Sequence, residues 1–197
     1  MKTYQFSIQL ALILAACCCV RGQGFIYDQQ STTTDSGGQS GAVNFHTADS
    51  IGQSFVPSLS SVGFIRLSLA DLGGAGATVY VNLWAGSIDT GTLLGSTGPI
   101  FLPAGYNNPV DFNFTGAVSV TSGSTYFFQP VVQTGSDLLN LGITSGTYPN
   151  GTVYFQGVAN SNIDLWFREG ITVPEPSVSL LGLTGSVALY FYRRKNQ

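Results

Sequence analysis

Apolar and polar residues alternate with a period of two along most of the chain. In FIRLSLADL, residues 64–72, Ile65, Leu67 and Leu69 share one side and Arg66, Ser68 and Ala70 the other. In TVYVNLW, residues 78–84, Val79, Val81 and Leu83 oppose Thr78, Tyr80, Asn82 and Trp84. In PVDFNFT, residues 109–115, Val110, Phe112 and Phe114 oppose Asp111 and Asn113. In IDLWFRE, residues 163–169, Ile163, Leu165 and Phe167 oppose Asp164, Trp166 and Arg168. Successive strand side chains point to opposite faces, so each run predicts a strand with one face buried. GFIYD, GQSFV, STYFFQPVVQ, LLNLGI and TVYFQG are further short runs. None keeps an apolar stripe at helical spacing.

Turn-forming stretches separate the runs: LGGAGA, PAGYNNP, TSGS and TYPNG. Asn150-Gly151 reads as a two-residue hairpin turn leading into TVYF. Pro130, inside FFQPVVQ, has no N–H for a ladder and predicts an edge strand or a bulge. About nine short strands at this spacing predict an all-β fold. The architecture expected over residues 25–170 is an antiparallel two-sheet β-sandwich of the jelly-roll kind.

Composition supports strands and turns over helices. Of 197 residues, 25 are glycine and only 9% are charged, against roughly 25% charged in an average soluble domain. The segment 23–176 holds two bases, Arg66 and Arg168, against ten acids, a net of −8. Binding a phosphate backbone needs clustered Lys and Arg, so nucleic acid is excluded as a partner. Cys17, Cys18 and Cys19 are consecutive, so the body has no disulfide framework.

The two ends differ from the body. Residues 1–24 carry Lys2, an apolar run from Phe6 to Val20, and then Gly22 and Gly24. That order predicts a secretory signal peptide removed by signal peptidase. LAAC, residues 14–17, also matches a lipobox, in which Cys17 would be lipidated. At the other end a linker, 171–176, contains Pro174, Glu175 and Pro176. Ser177 to Tyr192 follows, 16 residues without charge, then Arg193, Arg194 and Lys195. Residues 177–197 predict a single short transmembrane helix, body outside and basic end inside.

The triplet, the apolar tail, the basic end and an N-terminal signal together resemble the PEP-CTERM sorting signal of Gram-negative bacteria. This resemblance covers about 25 residues at the C-terminal end and implies handling by an exosortase-type processing enzyme near the triplet. It implies an inner-membrane intermediate, then the cell envelope or extracellular matrix. Pro174, Glu175 and Pro176 are then recognition residues, with Arg193, Arg194 and Lys195 completing the motif. The body, through GQSFVP, STYFF and DLWFREG, is similar to bacterial extracellular jelly-roll domains that precede surface anchors. These have no uniform activity, and fold likeness does not carry function.

Few residues are placed for catalysis. His46 is the single histidine, with Asp49 beside it and serines nearby, but no nucleophile elbow accompanies it. Glycoside hydrolysis needs two facing carboxylates, and the spacing of the acids selects no pair. One histidine and no body cysteine exclude a zinc centre. A structural calcium has possible ligands in Asp28, Asp35, Asp71 and Asp89, without a D-x-D-x-D spacing, so no cofactor is assigned. GGAGA, residues 73–77, lacks the spacing and the lysine of a phosphate loop and reads as a turn.

The aromatic residues carry the most information. Tyr80, Trp84 and Trp166 lie opposite the apolar sides of their strands, with Asp164 and Arg168 sharing the side of Trp166. Solvent-facing rings flanked by polar groups are what sugar stacking uses, whereas buried rings are the ordinary use of Trp. The sequence therefore predicts an exported, non-enzymatic surface protein, structural or adhesive in an exopolysaccharide matrix. A carbohydrate-binding module and a polysaccharide hydrolase are the alternatives. An outward patch of Tyr80, Trp84 and Trp166 favours the former, and carboxylates facing across a cleft the latter.

Overall fold

The computed structural model describes residues 23–135, 138–146 and 148–174. Nearly all of the expected signal peptide, including Cys17, lies outside the described residues. So do Glu175, Pro176, the apolar tail and Arg193, Arg194 and Lys195. Among the described residues no helix is long and apolar enough to cross a membrane. One compact unit runs from Ile26 to Ile171, and residues 23–25 and 172–174 belong to a second.

The described residues form β1 (Gln23–Gln30), β2 (Gly41–Phe45), β3 (Ile51–Phe55), β4 (Ser61–Asp71), β5 (Ala77–Ala85), β6 (Thr92–Ser96) and β7 (Ile100–Leu102). There follow β8 (Asn107–Ser119), β9 (Tyr126–Gly135), β10 (Leu139–Thr144), β11 (Val153–Phe155), β12 (Val158–Asn160), β13 (Asp164–Leu165) and β14 (Phe167–Pro174). They make two antiparallel sheets. The first runs β1-β14-β4-β10-β13, with β8 also on β4 and β2 also on β10. The second runs β12-β11-β3-β9-β5-β6, with β7 also on β5. From β3 onward the chain passes back and forth between the sheets, with β3, β5, β9 and β11 in one and β4, β8, β10 and β14 in the other. The neighbour orders β1-β14-β4-β8 and β3-β9-β5-β6 are those of a jelly roll.

The period-two pattern sorts side chains as its physics requires. Ile65 and Leu67 of β4, Val79, Val81 and Leu83 of β5 and Phe112 of β8 are fully buried between the sheets. Phe128 of β9 meets Phe167 of β14 across the two layers at 5.0 Å between centroids, and Phe55 of β3, in its own sheet, at 6.0 Å. Such pairs add about 0.5–1.5 kcal/mol each beyond their buried area.

Local expectations differ at three places. Pro130 lies in a central strand, β9, rather than at an edge. Val81, its partner on β5, turns its N–H and C=O to Thr97, so the Pro130 nitrogen points away from β5. On that side the β3 pairing ends at Phe128, so no ladder bond is missed. Asn150-Gly151 makes no hairpin, because it links β10 of one sheet to β11 of the other. Gly151 is required there for close approach: a Cβ would lie 1.9 Å from the Ser54 carbonyl oxygen. Residues 171–174, expected as linker, continue β14 as strand.

Candidate functional site

Trp166, expected to face solvent, is fully buried. It interrupts the strand between β13 and β14, where its N–H donates to the Gly142 carbonyl at 2.8 Å. The connection between β1 and β2 folds over this face, and the Trp166 Nε1–H donates to the Gly37 carbonyl at 2.6 Å. Arg168 is closed under the same cover. It donates from Nε to Gln30 Oε1 at 2.9 Å and from Nη1 to Asp35, and its guanidinium stacks 3.5 Å from the Tyr27 ring centroid. Asp164 is also buried and accepts from Gln53 Nε2 at 3.0 Å and the Tyr148 N–H at 2.9 Å. The expected patch is therefore corrected: these three side chains hold the domain together. Strand alternation cannot reveal a loop laid over the outward face.

Tyr80 and Trp84 are half-buried on the outer face of β5, and here a different site begins. Register places Gln129 of β9 beside Asn82 and Phe127 beside Trp84. The Trp84 indole N–H donates to Gln129 Oε1 at 2.9 Å, and Gln129 Nε2 donates to Asp89 Oδ1 at 2.7 Å. The Ser50 hydroxyl donates to the other oxygen of Asp89. This chain of bonds pins the β5–β6 loop onto the sheet. Small residues permit the closure. A Cβ at Gly91 would lie 2.2 Å from the Ala85 carbonyl oxygen, and one at Gly52 would lie 2.6 Å from Ile88 Cδ1.

A two-lobed groove results. The larger lobe, about 480 Å³, is lined by Phe127, Tyr154, Gln156, Ser87 and Thr90. The smaller, about 290 Å³, is lined by Tyr80, Asn82, Gln129, Val131 and Asp49. Ser50 and Asp89 line both lobes. The Phe127 and Tyr154 rings meet edge-on at 5.5 Å. Asp89 (φ 64°) and Gln156 (φ 50°) are the two non-glycine residues with positive φ among the described residues, and both line the larger lobe. Gln156 and Gly157 form the two-residue turn between β11 and β12, where both central residues need positive φ. Residues held in such sparsely populated conformations cluster at ligand sites.

The remaining acids have local duties. His46 donates its backbone N–H to Asp49 Oδ2 at 3.0 Å, and its Nδ1 lies 2.9 Å from the same oxygen. Ser50 gives its hydroxyl to Asp89 instead of His46, so no triad is assembled there. Asp28 accepts from the Ser58 and Leu59 N–H groups at 2.8 and 2.9 Å. Asp35 bridges Arg168 and Arg66. Asp71 accepts from the Gly73 and Gly76 N–H groups at 3.1 and 3.0 Å, which makes GGAGA a capped turn. These carboxylates serve separate places, and among the described residues no group of three or more His, Cys, Asp or Glu is gathered for a metal.

A carboxyl held in its neutral form lies outside the groove, at Glu169. Burial, and then the negative charge of Asp28, push Glu169 up to about 9. Asp28 itself is lowered: burial works against its charge, but its hydrogen bonds from Leu59, Ser58 and Gln29 outweigh that.

Sequence reasoning passed over Gln129, Tyr154 and Gln156. The outward positions of STYFFQPVVQ and TVYFQG carried the signal for the first two, and only the turn geometry reveals the third. No family model matches the chain, and no curated protein matches it. Among solved structures it is similar to a carbohydrate-binding module, CBM36, in complex with calcium and xylotriose. The identity is 13% and the TM-score 0.33, covering 70% of this chain and 99% of that one.

Proposed function

We propose that this chain is an exported surface protein whose sandwich binds polysaccharide through the groove around Asp89. The observation that carries this reading is one outer sheet face on which aromatic rings, amides and two carboxylates converge, with two strained residues, Asp89 and Gln156, in the lining. A sugar ring offers apolar C–H faces to aromatic side chains and hydroxyls to Asp89, Gln129, Asn82 and Ser50. Binding is favoured over hydrolysis. A glycosidase needs a carboxyl set up as a proton donor. Asp49 and Asp89 are instead held as acceptors by His46, Ser50 and Gln129, while protonated Glu169 is enclosed in the core. Export and surface delivery rest on the sequence: the N-terminal signal, the Pro174-Glu175-Pro176 triplet, the apolar tail and the basic end.

The test is retardation in gels containing matrix polysaccharide, comparing the native chain with Tyr154→Ala. Loss of one stacking contact is expected to weaken binding about tenfold, on the scale of about 1–3 kcal/mol for ring stacking in nucleic-acid systems. Equal migration of both proteins with and without polymer would count against the reading.

A further inference from the structure

The ligand's charge can be read from what surrounds the groove, given the polysaccharide reading above. We infer that the groove takes a neutral glycan segment long enough to fill both lobes, with the Asp89 carboxylate accepting hydroxyls where they meet. The charged side chains lining the groove are two carboxylates, Asp49 and Asp89. His46 has Nδ1 against Asp49 and adds no separate site for an anion. The two arginines of the body sit on the other sheet. Arg66 grips Asp111 through Nε and Nη2, the latter at 2.8 Å, and Arg168 is bonded to Asp35 and Gln30.

A uronic acid or sulfated sugar is held by Arg or Lys, with Arg forming paired bonds to carboxylate. Here such a group would meet like charge instead, within the roughly 8 Å over which physiological salt leaves charges unscreened. A neutral sugar meets complementary chemistry. Hydroxyls donate to Asp89 and accept from the amides of Gln129 and Asn82, and the Tyr80 phenol can do either. The larger lobe adds the Tyr154 ring, with Phe127 behind it, for the apolar face of one sugar. Ser50 and Asp89 belong to both lobes, so one continuous chain can use both.

The experiment is affinity electrophoresis of the full chain in detergent, at low and high salt. The polymers are a linear β-glucan, galactomannan and xylan against alginate and polygalacturonate. Asp89→Asn, which keeps the shape and removes the charge, and Tyr154→Ala are run beside it, each checked by thermal melt. The expected result is retardation by at least one neutral polymer with little salt dependence and none by the acidic pair. Both folded variants are expected to bind about tenfold more weakly, a loss of about 1.4 kcal/mol. Stronger retardation by alginate or polygalacturonate overturns the neutral assignment and leaves polysaccharide binding standing. Neutral binding that both folded variants retain moves the ligand out of this groove and overturns the inference. No retardation by any polymer overturns the inference together with the reading beneath it.

Discussion

Trp166 and Glu169 lie three residues apart, and each follows from closure on both sides of the chain. The Trp166 ring has the loop of Gly37 on one side and the sheet on the other. Trp166→Ala is expected to cost about 3–5 kcal/mol of stability, seen as a melting point lowered by on the order of 10 °C. Polysaccharide affinity of the still-folded fraction is expected to stay the same. Reduced affinity with unchanged melting would return Trp166 to a binding role. Glu169 is enclosed in the core beside Asp28, where burial disfavours its charged form. Its folded pKa, about 9, stands above its ordinary value of 4.5. The folded chain therefore binds the extra proton between those limits, and stability is fully present below about 4.5 and lost as pH rises through 9. The slope is about 1.4 kcal/mol per pH unit for one proton. Asp28 acts in the opposite sense: its lowered pKa contributes stability above 3.8 that is lost as pH falls. Glu169→Gln, a neutral isostere, is expected to melt higher than the native chain at pH 8 and to lose most of the decline between pH 5 and 9. Parallel melting curves for the two proteins across that range would rule the assignment out.

At the scale of elements, β5 and β9 build the groove and two turns shape it. The alternation in TVYVNLW gave both faces of β5, so Tyr80, Asn82 and Trp84 were legible as outward positions. What alternation cannot give is the neighbour in the sheet. Gln129 reaches Trp84 and Asp89 only because β9 pairs β5 in one register, a contact between residues 45 apart in the chain. The IDLWFRE run shows the opposite failure: Trp166 and Arg168 on its polar side are covered by a loop that contributes no strand pattern of its own. The Gln156-Gly157 turn was invisible for a further reason. Positive φ at its first position favours Asn, Asp or Gly, and Gln announces nothing of the kind. The residue is kept against local preference, which suits a role in the groove. Gln156→Gly is expected to raise stability by about 0.5–1 kcal/mol while weakening polysaccharide binding. A variant that is both more stable and equally tight would show that Gln156 contributes nothing to the site.

For the molecule as a whole, the question is how the sandwich relates to its ends. Residues 23–176 carry −8, whereas Arg193, Arg194 and Lys195 add three positive charges beyond the apolar tail. On the export reading proposed above, these three bases would hold the end of the tail on the cytoplasmic side, since Lys and Arg set orientation. The last strand, β14, ends at Pro174, the first residue of the triplet. A cut at or just after the triplet would remove the tail and leave every residue of the fourteen described strands in place. Release from the membrane would then not require the domain to unfold, and the mature protein would keep its groove. Intact mass of the surface-extracted protein tests this directly. The expected mature chain begins after the N-terminal signal and ends near residue 176, and it melts at the same temperature as the uncut chain. A surface form still carrying residues 180–197 in cells with an active exosortase would make the tail a permanent anchor. A marked drop in melting temperature on cleavage would show that the sandwich depends on residues beyond β14.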